Sequence, residues 1–174
     1  MIIRPAMAAD AAAVAAIYGH HVLHGTGTFE EVPPSPEEME TRRAAVVAQG
    51  LPYLAAEEEG AVVGFAYASP FRTRAAYRYL IEDSVYIHPD WMGRGVGKAL
   101  LPPVIAACTA MGYRQMVAVI GDSQNAGSIG LHRSLGFADA GVGKSFGYKA
   151  GRWVDVVFMQ LALGEGDATL PEPS

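Results

Sequence analysis

The sequence holds a single cysteine, Cys108, in 174 residues. No intramolecular disulfide and no cysteine-built zinc centre can be assembled from one thiol, which fits a reducing compartment. No apolar run approaches the ~20 residues needed to span a bilayer. The segment from Met1 to Val14 has no basic stretch leading into an apolar one and a cleavage site, so no secretion signal is read there. Basic residues number 13 against 18 acidic ones, for a net charge of −5. That balance disfavours nucleic acid as a general partner. The expectation is a cytoplasmic protein that meets neither membrane nor nucleic acid.

About half of the chain is hydrophobic (51%), enough for one core, and the length fits one domain. Glycine and proline divide the chain into short elements. Met1–Arg4 reads as an edge strand before Pro5. Asp10 to about His24 reads as a helix, with Val14, Ile17 and Tyr18 at helical spacing, ended by Gly25-Thr26-Gly27. Ser35-Pro36-Glu37-Glu38 is a capping signal for a second helix, stopping at Gly50. Tyr53–Glu57 and Ala61–Ser69 read as strands around Glu58-Glu59-Gly60. A loop to Arg78 precedes a strand over Tyr79–His88, which Pro89 ends. After Gly93–Gly97 a helix runs to about Met111, and Pro102 and Pro103 inside it predict a kink or a division. Gln115–Ile120 reads as a buried strand and Ser128–Leu135 as a helix. Phe137–Lys149 should contain a strand and a turn, and Trp153–Leu163 a final strand. The alternation implies an α/β sandwich around a mixed sheet. The expected domain covers 1–163, and the composition of 164–174 predicts a disordered tail.

Chemistry concentrates between Glu82 and Leu100. A strand runs into glycines at alternate positions, and a helix follows. Glycine allows positive φ and close approach of a ligand to the backbone. A helix start leaves N–H groups unpaired, which suits phosphate oxygens. Arg94 and Lys98 add positive charge on the same turn. The turn is not a Walker loop, because no Gly-Lys-Ser/Thr closes it, and no acidic residue follows at the spacing of a dinucleotide fold.

With Gly95 and Gly97 at its two small positions, this segment resembles the cofactor loop of the GNAT acetyltransferase superfamily, Q/R-x-x-G-x-G/A. Met92 stands where the loop ordinarily has Gln or Arg. Asn125, Ser128, His132 and Gly136-Phe137 resemble the family's later segment. Within the superfamily, three blocks resemble the phosphinothricin / methionine sulfoximine N-acetyltransferases. They are Ala75-Ala76-Tyr77-Arg78-Tyr79 running into Glu82-Asp83-Ser84-Val85-Tyr86, then Thr28-Phe29-Glu30-Glu31, then Gly151-Arg152-Trp153-Val154-Asp155 with Phe158-Met159-Gln160. The resemblance implies a GNAT fold, with six to seven strands flanked by helices and a splayed strand pair that holds acetyl-CoA. It also implies a homodimer and transfer of acetyl to the α-amine of a small amino-acid analogue.

By the same resemblance, Val85, Tyr86 and Ile87 offer backbone groups to the pantetheine, and an N–H of this strand, expected to be bulged, polarises the thioester carbonyl. Gly93, Arg94, Gly95, Val96, Gly97 and Lys98 hold the pyrophosphate. Asn125 contacts the pantetheine arm or caps a helix. Glu82 is the candidate base, since a carboxylate in a partly desolvated pocket gains basicity. The alternative is that it pairs with the substrate ammonium or with Arg78. His132, four residues before Gly136-Phe137, is the candidate acid or a cofactor-side contact, or else an isolated structural histidine. Arg72, Arg74 or Arg78 could take a substrate carboxylate as a forked pair, or lie in a solvated loop. Ala75, Ala76 and Tyr77 are the implied substrate segment, with Phe29 and Tyr77 as walls. No histidine cluster has metal-ligand partners, so no metal is expected. Two alternatives stay open: an acetyltransferase for protein N-termini or another amine, and a non-catalytic acyl-CoA-binding regulatory module.

Overall fold

The structure, a computed structural model, describes residues 1–171. Seven strands, β1 (Ile2–Pro5), β2 (Tyr53–Glu58), β3 (Ala61–Pro70), β4 (Leu80–Ile87), β5 (Gln115–Gly121), β6 (Ala138–Lys149) and β7 (Arg152–Ala162), form one sheet in the order β1-β2-β3-β4-β5-β7-β6. Four helices flank it: α1 (Ala11–His24), α2 (Pro36–Ala48), α3 (Val96–Ala110) and α4 (Ala126–Ser134). No helix among the described residues is long and apolar enough to cross a membrane.

Local chemistry sets most boundaries. Ser35 Oγ accepts from the Glu38 N–H at 3.2 Å, with Pro36 in the first turn of α2. Gly50, at φ +76°, follows that helix and turns the chain into β2. Ala150 and Gly151 have φ of +52° and +74° and join β6 to β7 in a tight hairpin, a conformation that suits the right-handed twist of paired strands.

The pairing of β4 positions the site. β4 and β5 are parallel, and their register runs only from Leu80↔Gln115 to Asp83↔Ala118. Every other adjacent pair is antiparallel. Beyond Asp83 the two strands separate, while β4 continues to pair with β3 as far as Gly64↔Ile87 without a register shift. The expected bulge in β4 is therefore absent, and the gap opens on the β5 side alone. The His88 N–H donates to Val63 O at 2.9 Å, which fixes the alternation along β4. Tyr86 and Ser84 direct their main-chain groups to β3, whereas Val85 and Ile87 direct theirs into the gap.

Side chains alternate across the sheet in the same way. Ile81 and Asp83 face α3 and α4, in the larger core with Leu100, Leu101, Val104 and Met116. Glu82, Ser84 and Tyr86 face the opposite side. There Tyr86 meets Tyr18 of α1, edge to face at 4.9 Å, and Phe65 joins the smaller core with Ile17 and Val22.

Three expected segments take a definite form. α3 is one unbroken helix with Pro102 and Pro103 inside it. Each proline removes a main-chain donor, but Pro102 is exposed and Pro103 half-buried, and burial of Leu100, Leu101, Val104 and Cys108 holds the helix together. Phe137–Lys149 does contain the expected strand, β6, longer than a strand and a turn imply and interrupted at Asp139/Gly141 and Gly143/Gly147. The tail expected over 164–174 is described as far as Pro171. Arg114 Nε donates to Gly166 O at 2.7 Å and its guanidinium reaches Thr169 O at 2.9 Å. Residues 172–174 lie outside the described residues.

Candidate active site

The gap between β4 and β5 opens into a cleft of about 460 Å³. One wall is Ser84 to Ile87, the other Val119 to Gly121, and the start of α3 and the α4 segment close the ends. The N–H and C=O of Val85 and of Ile87 face this space as strand-edge groups without partners among the described residues, apart from the Ile87 carbonyl, which accepts from His21 Nε2 at 2.8 Å. An extended amide-bearing ligand can pair with such an edge as an added strand. Tyr86 lines the cleft, but its backbone is committed to β3, which corrects the expectation that it offers backbone groups.

The glycine turn divides its labour. Gly93 and Gly95 have φ of +75° and +83°, a region that costs an L-side chain about 1–2 kcal/mol. Gly97 serves close packing, since a Cβ there would stand 2.6 Å from Leu131 Cδ2 of α4. Gly93, Gly95, Val96, Gly97 and Lys98 all line the cleft. The first N–H groups of α3 form an anion-binding end. Arg94 does not line the cleft. Its guanidinium sits over the Trp91 ring, 5.0 Å from the centroid. Met92, at the departure from the family pattern, does line it.

Asn125 takes one of its two expected roles, the helix cap. Its Oδ1 accepts from the Ser128 N–H at 3.2 Å, capping α4, and the residue lines the cleft. His132, 2% exposed, lies behind it. Nδ1 is 2.8 Å from Ser128 O and Nε2 is 2.9 Å from Asp83 Oδ2. A carbonyl only accepts, so Nδ1 carries a proton, and a second proton lies between Nε2 and the carboxylate. Burial lowers the His132 pKa, but the Asp83 hydrogen bond and charge and the Ser128 carbonyl together raise it above the ordinary value. With both nitrogens engaged, His132 has no spare N–H for a departing thiolate, contrary to the expected acid role. Asp83 Oδ1 is buried without a hydrogen-bond partner among the described residues.

Glu82 stands one residue before Asp83, on the other face of the sheet. Burial pushes its carboxyl up to about 7, and the neighbouring Asp83 charge adds to the shift. The sheet therefore separates Glu82 from His132, with the gap between them. Glu82 does not line the cleft itself. It stands at the closed end of the gap, across from Val117.

Phe29 lies on the Glu82 face, in a loop pinned from several sides. Lys149 Nζ donates to Thr28 O at 2.7 Å. Both Glu30 carboxylate oxygens accept from Arg42 of α2 at 2.9 Å, and Tyr18 OH binds Glu30 and also Thr28 Oγ1. The Phe29 ring packs on Gly147 and Gly121. It thus lies toward the open end of the gap, while Ala75–Tyr77 form a short 3-10 turn just before β4, at the Glu82 end. Arg72 and Arg74 are exposed beside that turn, and Arg72 rests on the Phe71 ring. None of Phe29, Arg72, Arg74, Ala75, Ala76 and Tyr77 lines the cleft.

A parallel strand pair that parts midway, followed by a positive-φ glycine turn at a helix start, agrees with what comparison shows. Residues 20–137 match the Acetyltransferase (GNAT) family. The chain belongs to the GNAT acetyltransferase family. A phosphinothricin N-acetyltransferase of Alcaligenes faecalis is 55% identical over 163 residues, 94% of this chain and 83% of that one. An L-methionine sulfoximine/L-methionine sulfone acetyltransferase of Salmonella typhimurium is 41% identical, covering 95% and 96% of the two chains. The crystal structure of a GNAT phosphinothricin acetyltransferase from Sinorhizobium meliloti, in complex with acetyl-CoA, superposes with a TM-score of 0.95. It is 50% identical, and the likeness covers 99% of this chain and 94% of that one.

In this GNAT chain the cleft also takes residues that sequence reasoning passed over: His21, Asp83, Ser84, Gly121 and Ser128. Asp83 and Ser84 were within a quoted block, but nothing local marks which face they take. His21 reaches Ile87 across 66 positions, a contact no spacing rule reveals.

Proposed function

We propose that this GNAT enzyme transfers acetyl from acetyl-CoA to the α-amine of a small amino-acid analogue of the phosphinothricin, methionine sulfoximine or methionine sulfone type. The observation that carries the chemistry is Glu82. Its half-buried carboxyl has a pKa raised to about 7 and stands where the parallel strands part. A base with that pKa is ionised in useful amount at neutral pH and still accepts a proton from an ammonium.

Acetyl-CoA supplies the thioester carbon and the thiolate leaving group. Glu82 removes a proton from the substrate ammonium, directly or through a water. The freed amine forms the new N–C bond, and the C–S bond breaks. The Val85 N–H, the first main-chain donor beyond the parting point, is placed to stabilise the carbonyl oxygen. The Val85 C=O and the Ile87 N–H pair with the pantetheine amides. Backbone N–H groups from Gly95 to Lys98, with the Lys98 ammonium, hold the pyrophosphate, and Arg94 screens it from above Trp91. Asn125 meets the pantetheine arm. His132 is a strut that ties α4 to β4.

The relatives' substrates support the amine class. Arg72 and Arg74 suit the substrate's acidic groups, while Ala75-Ala76-Tyr77 and Phe29 bound its pocket at the two ends of the Glu82 face. The exposed Phe146, Tyr148 and Trp153 on the β6–β7 hairpin form an apolar face that supports a homodimer. Thiol release from acetyl-CoA, measured with phosphinothricin, methionine sulfoximine and methionine sulfone, tests the activity. Turnover of at least one is expected. Binding of acetyl-CoA with no turnover of any of the three would overturn the substrate class and favour a binding module.

A further inference from the structure

Four main-chain groups of β4 face the gap: the N–H and C=O of Val85 and of Ile87. They repeat every two residues, about 6.6 Å apart along a strand. An extended arm bearing amides meets two equivalent ladders and can settle in either of two registers. In one, an arm N–H donates to Val85 O. In the other it donates to Ile87 O, displaced by one strand repeat. A slip of that size carries the reacting end of the arm away from Glu82.

The structure breaks this degeneracy from outside the sheet. His21, on the last turns of α1, places Nε2 2.8 Å from Ile87 O. Because a carbonyl only accepts, Nε2 carries the proton. Burial lowers the His21 pKa, which agrees with a neutral ring. The ring is held by packing as well, 5.6 Å from Tyr86 and 5.6 Å from His20 between centroids. It lines the cleft while making its bond to the strand.

We propose that His21 is a positioning residue that sets the register of the pantetheine arm on β4, by occupying the Ile87 carbonyl and leaving Val85 O as the open β4 acceptor on the gap among the described residues. This rests on the reading of the cleft as an acetyl-CoA site. The donor that performs this selection is a side chain of α1. It belongs neither to the glycine turn nor to the strand edge.

His21→Phe keeps a ring and removes the donor, whereas His21→Gln places an N–H near the position of Nε2. Steady-state kinetics with acetyl-CoA and phosphinothricin, together with calorimetric acetyl-CoA binding, separates the outcomes. With Ile87 O released, a non-productive register competes. In His21→Phe, kcat then falls by roughly fivefold, what one hydrogen bond discriminates. Acetyl-CoA Kd is not weakened and kcat/KM for acetyl-CoA is retained. His21→Gln restores kcat. An unchanged kcat in His21→Phe overturns the proposal, as does weakened acetyl-CoA binding at constant kcat, which marks a simple contact. A loss that His21→Gln shares, with a matching drop in melting temperature, marks a packing role and overturns it too. Failure of the wild-type chain to bind acetyl-CoA at all overturns the underlying reading, and the proposal with it.

Discussion

His132 Nε2 lies 2.9 Å from Asp83 Oδ2 in a pair whose side chains are 3% and 1% exposed, while Nδ1 donates to Ser128 O. The pair links α4 to the last residue of β4 that still pairs with β5. It therefore holds the edge of the gap from the helix side. Breaking one member of a buried pair leaves a charge without a partner. Asp83→Asn is expected to cost about 3–5 kcal/mol in urea unfolding. The pH dependence has a definite sign. The folded His132 pKa is raised, so the pair contributes fully below the ordinary histidine value near 6.5 and loses its contribution as pH rises through the folded value. Wild-type melting temperature should show this decline and Asp83→Asn should lack it. Equal pH profiles would show that the pair is not ionic.

Burial pushes the Glu82 carboxyl up to about 7. A base acts in its ionised form, so kcat/KM for the amine should rise with pH and level off above an inflection near the value of about 7. Glu82→Gln should lower kcat by about 10²–10⁴-fold, remove that inflection and leave acetyl-CoA binding intact. A variant that retains wild-type kcat would remove Glu82 from the chemistry.

Gly121 admits no side chain. A Cβ there would stand 1.8 Å from Thr26 O and 3.3 Å from Phe29 Cε1. Gly121→Ala must displace the loop that carries Phe29, at a cost of about 1–3 kcal/mol. The amine KM should rise at least severalfold. Crystallography or chemical denaturation would register the displacement, and an unmoved loop with unchanged amine KM would contradict the placement of Phe29 at the substrate pocket.

The β6–β7 hairpin exposes Phe146 (66%), Tyr148 (61%) and Trp153 (65%) on one edge of the sheet. If a second copy covers this face, wild-type protein sediments as a dimer and Phe146→Glu with Trp153→Glu sediments as a monomer. A double variant with wild-type mass would place the contact elsewhere.

Periodicity and punctuation in the chain carried most elements to within a few residues. Proline, glycine and serine signals act over one turn, so the end of β4 before Pro89 and the cap at Ser35 were legible from neighbours alone. The unbroken α3 was not, because its tolerance of Pro102 and Pro103 depends on which face of the helix the core covers. The long β6 was not legible either. Its glycines read as turns, and only pairing with β7 shows that they sit in a strand with two irregularities.

The same division runs through the site. The order of residues determined that Glu82 precedes a glycine turn, that Gly93 and Gly95 can take positive φ, and that Asn125 can cap a helix, for these are properties of near neighbours and of backbone chemistry. The tertiary structure decided the rest. Alternation along β4 placed Glu82 on one face and Asp83 on the other, and pairing with β3 withdrew Tyr86's backbone from the gap. The fold brought His132 to Asp83 across 49 positions and His21 to Ile87 across 66. Hydrogen bonds and burial depend on distance in space, and which remote side chain fills a given donor or acceptor is settled only when the sheet and helices pack.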